Sequence, residues 1–296
     1  MNRIKTNKIL IPIDFSDVSL EAIKHACLIL QYTSGEIILL YVHKKREVWD
    51  FISPEHERND TLVINFVSKK MEELAEKLRK ENNLIVSVKM SFGNISTEIM
   101  KVVEHDKIDL IIMGTRGKDS DNDWFMGSNA YRVITKSKIP VMAVHSSYIS
   151  PAYENILIPI DTSEHSRQKV DSALYLANKL NAQLHVIGLI GKGEENYTYK
   201  MEVIMGQIEK LAKGKNVRCT TEIQTSANRA ITTLTCAEKI KTDLIMIMTD
   251  QHAEFSSIIL GTYAHQLINE SKVPVLCIPP ESHPENMSSD NLGGMW

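Results

Sequence analysis

The string KILIPID at residues 8–14 returns as NILIPID at residues 155–161, an offset of 147 that divides this 296-residue chain into two halves. Self-similarity at so long a period means one supersecondary design used twice. After Asp14 comes FSDVS, and after Asp161 comes TSEHS, so Ser16 and Ser163 each offer the N-cap of a following helix. Apolar residues then recur at spacings of three and four, as Leu20, Ile23, Cys27 and Leu30 in one copy and Val170, Ala173, Ala177 and Leu180 in the other. Each helix therefore presents one face to a sheet.

The remaining elements follow in parallel. Second strands are predicted at residues 36–43 and 183–190, still 147 apart. A variable connection follows, residues 44–61 in the first copy and a short Gly-rich 191–197 in the second. A helix then carries Ile64, Val67, Met71, Leu74 and Leu78, answered by Met201, Ile204, Ile208 and Leu211. Third strands at 85–90 and 217–223 lead through Gly93-Asn94 and Ala227-Asn228 to third helices. Fourth strands, 110–113 and 244–247, are offset by 134, so the second copy is thirteen residues shorter, chiefly in the connection. Final strands are expected at 141–144 and 275–278. Strand and helix alternating five strands deep predict an α/β fold, a mostly parallel sheet covered on both faces. Domains are expected at residues 1–147 and 152–280, joined across a short linker, with a loose Ser/Asn/Pro/Gly-rich tail at 281–296.

The chemistry concentrates in DLIIMGTRGKDSDNDWFMGS, residues 109–128. Four large apolar residues read as a strand buried on both faces. Gly114 and Gly117 follow at its C-terminal end, where they are expected to supply positive φ and bare backbone donors. Gly127-Ser128 then opens a helix, whose first N–H groups and dipole favour an anion. The spacing is neither GxxxxGK[ST] nor GxGxxG, and neither pattern occurs in the chain. Gly-x2-Gly-x9-Gly-Ser instead resembles the nucleotide-binding motif of the universal stress protein family.

That resemblance covers residues 5–280 and implies a strand order of 3-2-1-4-5 in each half, with the halves paired antiparallel through their last strands. It implies an adenine slot at Pro12, Asp14 and the backbone of Val42. Ribose and phosphates would lie at Gly114, Arg116, Gly117, Gly127, Ser128 and the N–H of Asn129. Arg116 suits a phosphate clamp because a guanidinium offers two donors at once, although a solvated loop arginine is the plain alternative. For Asp14 the plain alternative is a turn or capping aspartate. The ligand would be ATP, ADP or AMP, with Mg²⁺ as an option. Asp119, Asp121 and Asp123 depart from the family pattern and crowd the anion site with carboxylates. They fail as an EF-hand, since position six is Trp124 and position twelve is Ala130. A solvated loop is the reading adopted, with Mg²⁺ recruitment and a preference for AMP or ADP over ATP as alternatives.

The second copy departs further. At offset 134, Gly114 becomes Met248 and Gly117 becomes Gln251, while Gly127-Ser128 becomes Gly261-Thr262. A methionine resists positive φ and would fill the ribose space, so this half is expected to bind nucleotide weakly or not at all and to serve by pairing with the first.

Composition excludes other classes. Net charge −3 with scattered Lys and Arg gives no footprint for nucleic acid. No apolar run approaches eighteen residues, and the N-terminus lacks a signal-peptide core, so neither a membrane nor export is expected. Cys27, Cys219, Cys236 and Cys277 show no CxxC spacing and fit a reducing cytoplasm. None of the ten histidines forms HxxxH or HExxH, so no metal site is assigned. The expected function is adenine-nucleotide binding in a stress response, by binding rather than turnover. The rivals are a slow ATPase or phosphoryl or adenylyl transferase, and a module that binds only other proteins. No catalytic residue is assigned, and homodimerisation is left open.

Overall fold

A computed structural model describes residues 4–44, 54–115, 126–145, 152–249 and 260–280. The strands of the first half are β1 (Lys8–Pro12), β2 (Glu36–His43), β3 (Ile85–Phe92), β4 (Leu110–Gly114) and β5 (Val141–Val144). Those of the second are β6 (Asn155–Ile160), β7 (Gln183–Gly191), β8 (Cys219–Ser226), β9 (Leu244–Met248) and β10 (Val275–Ile278). All ten join one sheet in the order β3-β2-β1-β4-β5-β10-β9-β6-β7-β8. Each half thus has the expected 3-2-1-4-5 order. Pairing is parallel within each half and antiparallel only where β5 meets β10, with Leu276 opposite Met142.

Nine helices cover the sheet among the described residues: α1 (Asp17–Tyr32), α2 (Pro54–Asn82), α3 (Ile95–Asp106), α4 (Ser128–Lys136), α5 (Glu164–Arg167), α6 (Val170–Leu180), α7 (Thr198–Gly214), α8 (Arg229–Lys239) and α9 (Thr262–Glu270). Period-two alternation sends strand residues to two separate cores. Ile9, Ile11 and Ile112 join the core under α1, α2, α6 and α7. Leu10, Ile111 and Met113 join the one under α3, α4, α8 and α9. No helix among the described residues is long and apolar enough to cross a membrane.

The capping chemistry is as the sequence predicts. Ser16 accepts the N–H of Ser19, and Ser163 that of Ser166. Asn94 and Asn228 cap α3 and α8 in the same way. Two elements differ from expectation. The helix after β2 already includes Pro54, inside what reads as a connection as far as residue 61. The single helix predicted after Asp161 is two, α5 and α6. Buried Lys169 folds its ammonium onto the carbonyl of Ser166 at 2.6 Å, competing for the acceptor that a continuous helix would offer to Val170. The expected tail, residues 281–296, lies outside the described residues.

Candidate nucleotide crevice

In an open parallel sheet, chains leaving neighbouring strands in opposite directions split the sheet at its C-terminal edge and make a crevice there. The register shows the split directly. β1 pairs with β4 only at Ile9–Leu110 and Leu10–Ile111. Meanwhile β1 stays with β2 as far as Pro12–Leu40, and β4 stays with β5 as far as Gly114–Val144. The second half repeats this, since β6 meets β9 only at Ile156–Leu244 and Leu157–Ile245. Each half therefore has one crevice, above β1 and β4 or above β6 and β9.

The sequence-predicted residues take these positions. Pro12 ends β1, and Asp14 stands two residues beyond it, exposed. Its Oδ1 accepts both the N–H of Ser16 at 2.9 Å and the Ser16 hydroxyl at 2.5 Å, so one carboxylate oxygen is committed to the turn that starts α1. Between them, Phe15 adopts φ 60°, unusual for a bulky residue, and lies beside Tyr41 with 6.4 Å between ring centroids. Burial raises the Tyr41 hydroxyl above its ordinary pKa, and the nearby charge of Asp14 adds to the effect. Val42 is half-buried on β2, facing the core under α3 and α4, where half-exposed Ile95 and Met126 also pack.

Gly114 is the last residue of β4 and is extended, not turned, so the expectation of positive φ there is corrected. Gly127 is the N-cap of α4 with φ −60°, again ordinary backbone. What glycine supplies there is room. The Gly127 N–H donates to the Thr115 carbonyl at 2.7 Å, and a Cβ on Gly127 would stand 3.2 Å from that same oxygen. This bond ties the start of α4 to the residue that follows β4, while Thr115 is held by its own N–H to Val144 at 2.9 Å. Because glycine has no capping side chain, no side chain among the described residues caps the N-terminus of α4, where Ser128 and Asn129 carry the first helical donors. Arg116, Gly117, Asp119, Asp121 and Asp123 lie outside the described residues.

The second crevice has the same frame and different contents. Gly261 caps α9 as Gly127 caps α4, with φ −56° and no side-chain cap. Met248, at the position of Gly114, is only 7% exposed and belongs to the core under α6 and α7. Met248 thus brings a bulky side chain to the strand end where the first half has a bare glycine, but the expected contrast in φ is absent, since Gly114 is extended as well. A further feature was missed in the sequence. Arg229, standing where the first half has Ile95, reaches Asp161 Oδ2 and Glu194 Oε2, each at 3.4 Å. Glu194 also accepts the N–H of Gly191 at the end of β7. A bridge of one cation and two carboxylates thus spans β6, β7 and α8. Burial works to raise the Asp161 carboxyl, but hydrogen bonds from Ser163 and Ser166 and the charge of Arg229 outweigh it, holding it below the usual range. Setting the copies side by side at offset 134 exposes the apolar-to-arginine change directly.

Among the described residues no cluster of His, Cys, Asp or Glu suits a metal ion. The four cysteines are all unpaired thiols.

A family model described as the Universal stress protein family matches the chain twice, over residues 5–145 and 152–279. A universal stress protein of Methanocaldococcus jannaschii is 36% identical over 140 residues, covering 46% of this chain and 81% of the relative. Universal stress protein A of Escherichia coli is 29% identical over 138 residues, 43% of this chain and 95% of that protein. These relatives correspond to about one half of the chain. A crystal structure of a universal stress protein from Archaeoglobus fulgidus superimposes over 93% of this chain and 99% of its own, with a TM-score of 0.76 at 20% identity, a likeness of fold.

Proposed function

The chain belongs to the universal stress protein family, carrying two of its domains in tandem, and on that premise we propose that its first half is a receptor for an adenine nucleotide in the cytoplasm. Pro12, Asp14 and the backbone of Val42 would hold the base. Gly114, Gly127, Ser128 and Asn129, with Arg116 and Gly117 between them in sequence, would hold the ribose and phosphates of ATP, ADP or AMP. One observation carries this reading: of two crevices built on the same split in the sheet, the first keeps a glycine at the strand end, and the second holds buried Met248 and the Arg229 bridge. Donors at an uncapped helix start, set above a bare strand end, suit a phosphate.

The role is binding. Phosphoryl transfer needs a base, a positioned cation and usually a metal around the moving phosphate. Asp14 already spends one oxygen on Ser16, which leaves it a poor base. The stress response itself follows from the family and is part of the proposal, as is action without nucleic acid or membrane.

Calorimetric titration with ATP, ADP and AMP tests the assignment. One site per chain is expected, and Gly114→Met, which copies the second half, should weaken it at least tenfold, about 1.4 kcal/mol. Undiminished affinity in that variant would refute the assignment of the crevice.

A further inference from the structure

A cavity of about 530 Å³ runs along α8 toward the chain that leaves α9, lined by Ile231, Leu234, Ala237, Lys241, Thr242 and Val273 among others. Small-molecule sites commonly fall in this size range, with mostly apolar walls and a few polar groups. The first half shows how the space arises. At offset 134, Ala237 stands for Val103, Val273 for Ile139 and Thr242 for Ile108. Val103 and Ile108 are buried and Ile139 half-buried in the corresponding core. The second half has trimmed carbon from all three places without changing the helices around them.

The cleft carries two carboxylates, Glu238, which is paired with Lys272, and Glu270, which takes the Gln266 amide at 3.0 Å, and two further polar groups, Thr242 and Lys241, that are unspent. Thr242 is 2% exposed, and its hydroxyl, where the first half has a methylated carbon chain, has no hydrogen-bond partner among the described residues. Burying a hydroxyl without a partner is costly, and an apolar residue is available by a single comparison within the same chain. Lys241, next to it in the lining, has no ion pair among the described residues. By contrast the Lys272 ammonium is already held by Glu238 at 2.7 Å, a bridge from the end of α8 to the segment after α9 that ties the two walls together. At the open side, Ile231 is 53% exposed.

We propose that this cleft is a binding site for a small amphipathic organic anion. The apolar body lies against Ile231, Leu234, Ala237 and Val273. An oxygen of its head group accepts from the Thr242 hydroxyl, and its charge faces Lys241. The site is separate from the nucleotide crevice: it lies on the flank of the second half and shares no residue with the crevice.

The full-length protein is titrated with decanoate and with 1-anilinonaphthalene-8-sulfonate, two anions of this class with different bodies. Saturable binding of one equivalent is expected, with the two probes competing. Ala237→Val/Thr242→Ile restores the first half's residues and should weaken both probes at least tenfold while holding or raising the melting temperature. Lys241→Glu, an exposed change, should weaken both about tenfold, so the test does not hang on the folding of the core variant. Nucleotide titration of the same variants should be unaffected. No saturable binding at millimolar probe, or binding undiminished in both variants, would overturn the proposal. So would sedimentation showing that wild-type chains pair through this cleft and that the double variant does not, since a second copy would then be its occupant.

Discussion

Asn269, in the second half, accepts the backbone N–H of Met126 at 2.8 Å, one residue before the glycine that opens α4. The reciprocal bond exists at the equivalent place. Leu260, one residue before Gly261, donates its N–H to the Tyr131 hydroxyl at 3.3 Å. Between them the Tyr131 and His265 rings meet edge-on at 6.2 Å. Each half therefore fixes the approach to the other's helix start, so the second domain is part of what shapes the first crevice.

Removing that support has an expected cost. Asn269→Leu leaves the partly buried Met126 N–H without its acceptor, a penalty of about 1 kcal/mol, the low end of what an unsatisfied donor costs. Because the approach to α4 rather than the core is released, nucleotide affinity should fall by about five- to tenfold while the protein stays folded. Calorimetry against the wild type checks this. Equal affinities would mean that the second half does not shape the crevice.

Gly127 distinguishes room from backbone freedom. Its φ of −60° suits any residue, so a substitution carries no conformational strain. Its Cβ, however, would press on the Thr115 carbonyl at 3.2 Å and lengthen the bond from the Gly127 N–H to that same oxygen. Gly127→Ala should lower nucleotide affinity severalfold and stability by about 1 kcal/mol, as overpacking at a tight contact does. Gly127→Val should cost more in both respects. A rising series measured by titration and thermal melting supports close approach, and an alanine variant with full affinity would show that glycine is dispensable there.

The Arg229 bridge predicts a pH dependence with a definite sign. Asp161 has its folded pKa held below the unfolded one, so its contribution is fully present above the ordinary carboxylate value, about 3.9, and is lost as pH falls through the lower folded value. Arg229→Ala removes one of the groups holding that pKa down. With all three side chains partly exposed, the stability lost at neutral pH should stay within about 1 kcal/mol. The gap in melting temperature between wild type and variant should narrow as the pH falls below the ordinary carboxylate value and close once it has passed the lower folded one. A gap that persists there would mean that Arg229 acts through packing and not through charge. Nucleotide binding in the second half should not appear in this variant, because Met248 still occupies the strand end.

What the sequence made legible is what a repeat and a period can carry. KILIPID and NILIPID, the caps at Ser16 and Ser163 and the apolar alternation of the strands establish the elements and their duplication. The order 3-2-1-4-5 came from the family resemblance, and the register bears it out. Less legible were features that depend on groups brought together from different elements. Gly114 reads as a turn but is the paired end of a strand, because Val144 lies beside it. Lys169 reads as one more helical residue, and only its burial against Ser166 reveals the break between α5 and α6. Arg229 looks like a surface charge until Asp161 and Glu194 arrive from two other strand ends.

The β5–β10 seam explains why two half-length domains share one chain, and it yields the last prediction. Met142 and Leu276 face each other across it, both fully buried. Tyr153, from the segment joining the halves, covers the same place, its hydroxyl 3.7 Å from the Met142 sulfur and 2.7 Å from His25 Nδ1. Cut at the linker, residues 1–147 would expose β5 as an apolar edge with unpaired backbone donors and acceptors, which is a template for another strand. Relatives about as long as one half show that such a unit can stand as a chain of its own. The isolated first half should therefore fold and self-associate, one β5 taking the place of β10 in its neighbour. Met142→Lys in that fragment puts a charge into the new seam and should give a monomer by sedimentation. In the full chain the same substitution buries an unpaired ammonium and should cost several kcal/mol, seen as a large drop in melting temperature. A fragment that stays monomeric without the lysine would show that β5 does not need a partner strand, and that the tandem arrangement answers to the bonds at Met126 and Leu260 instead.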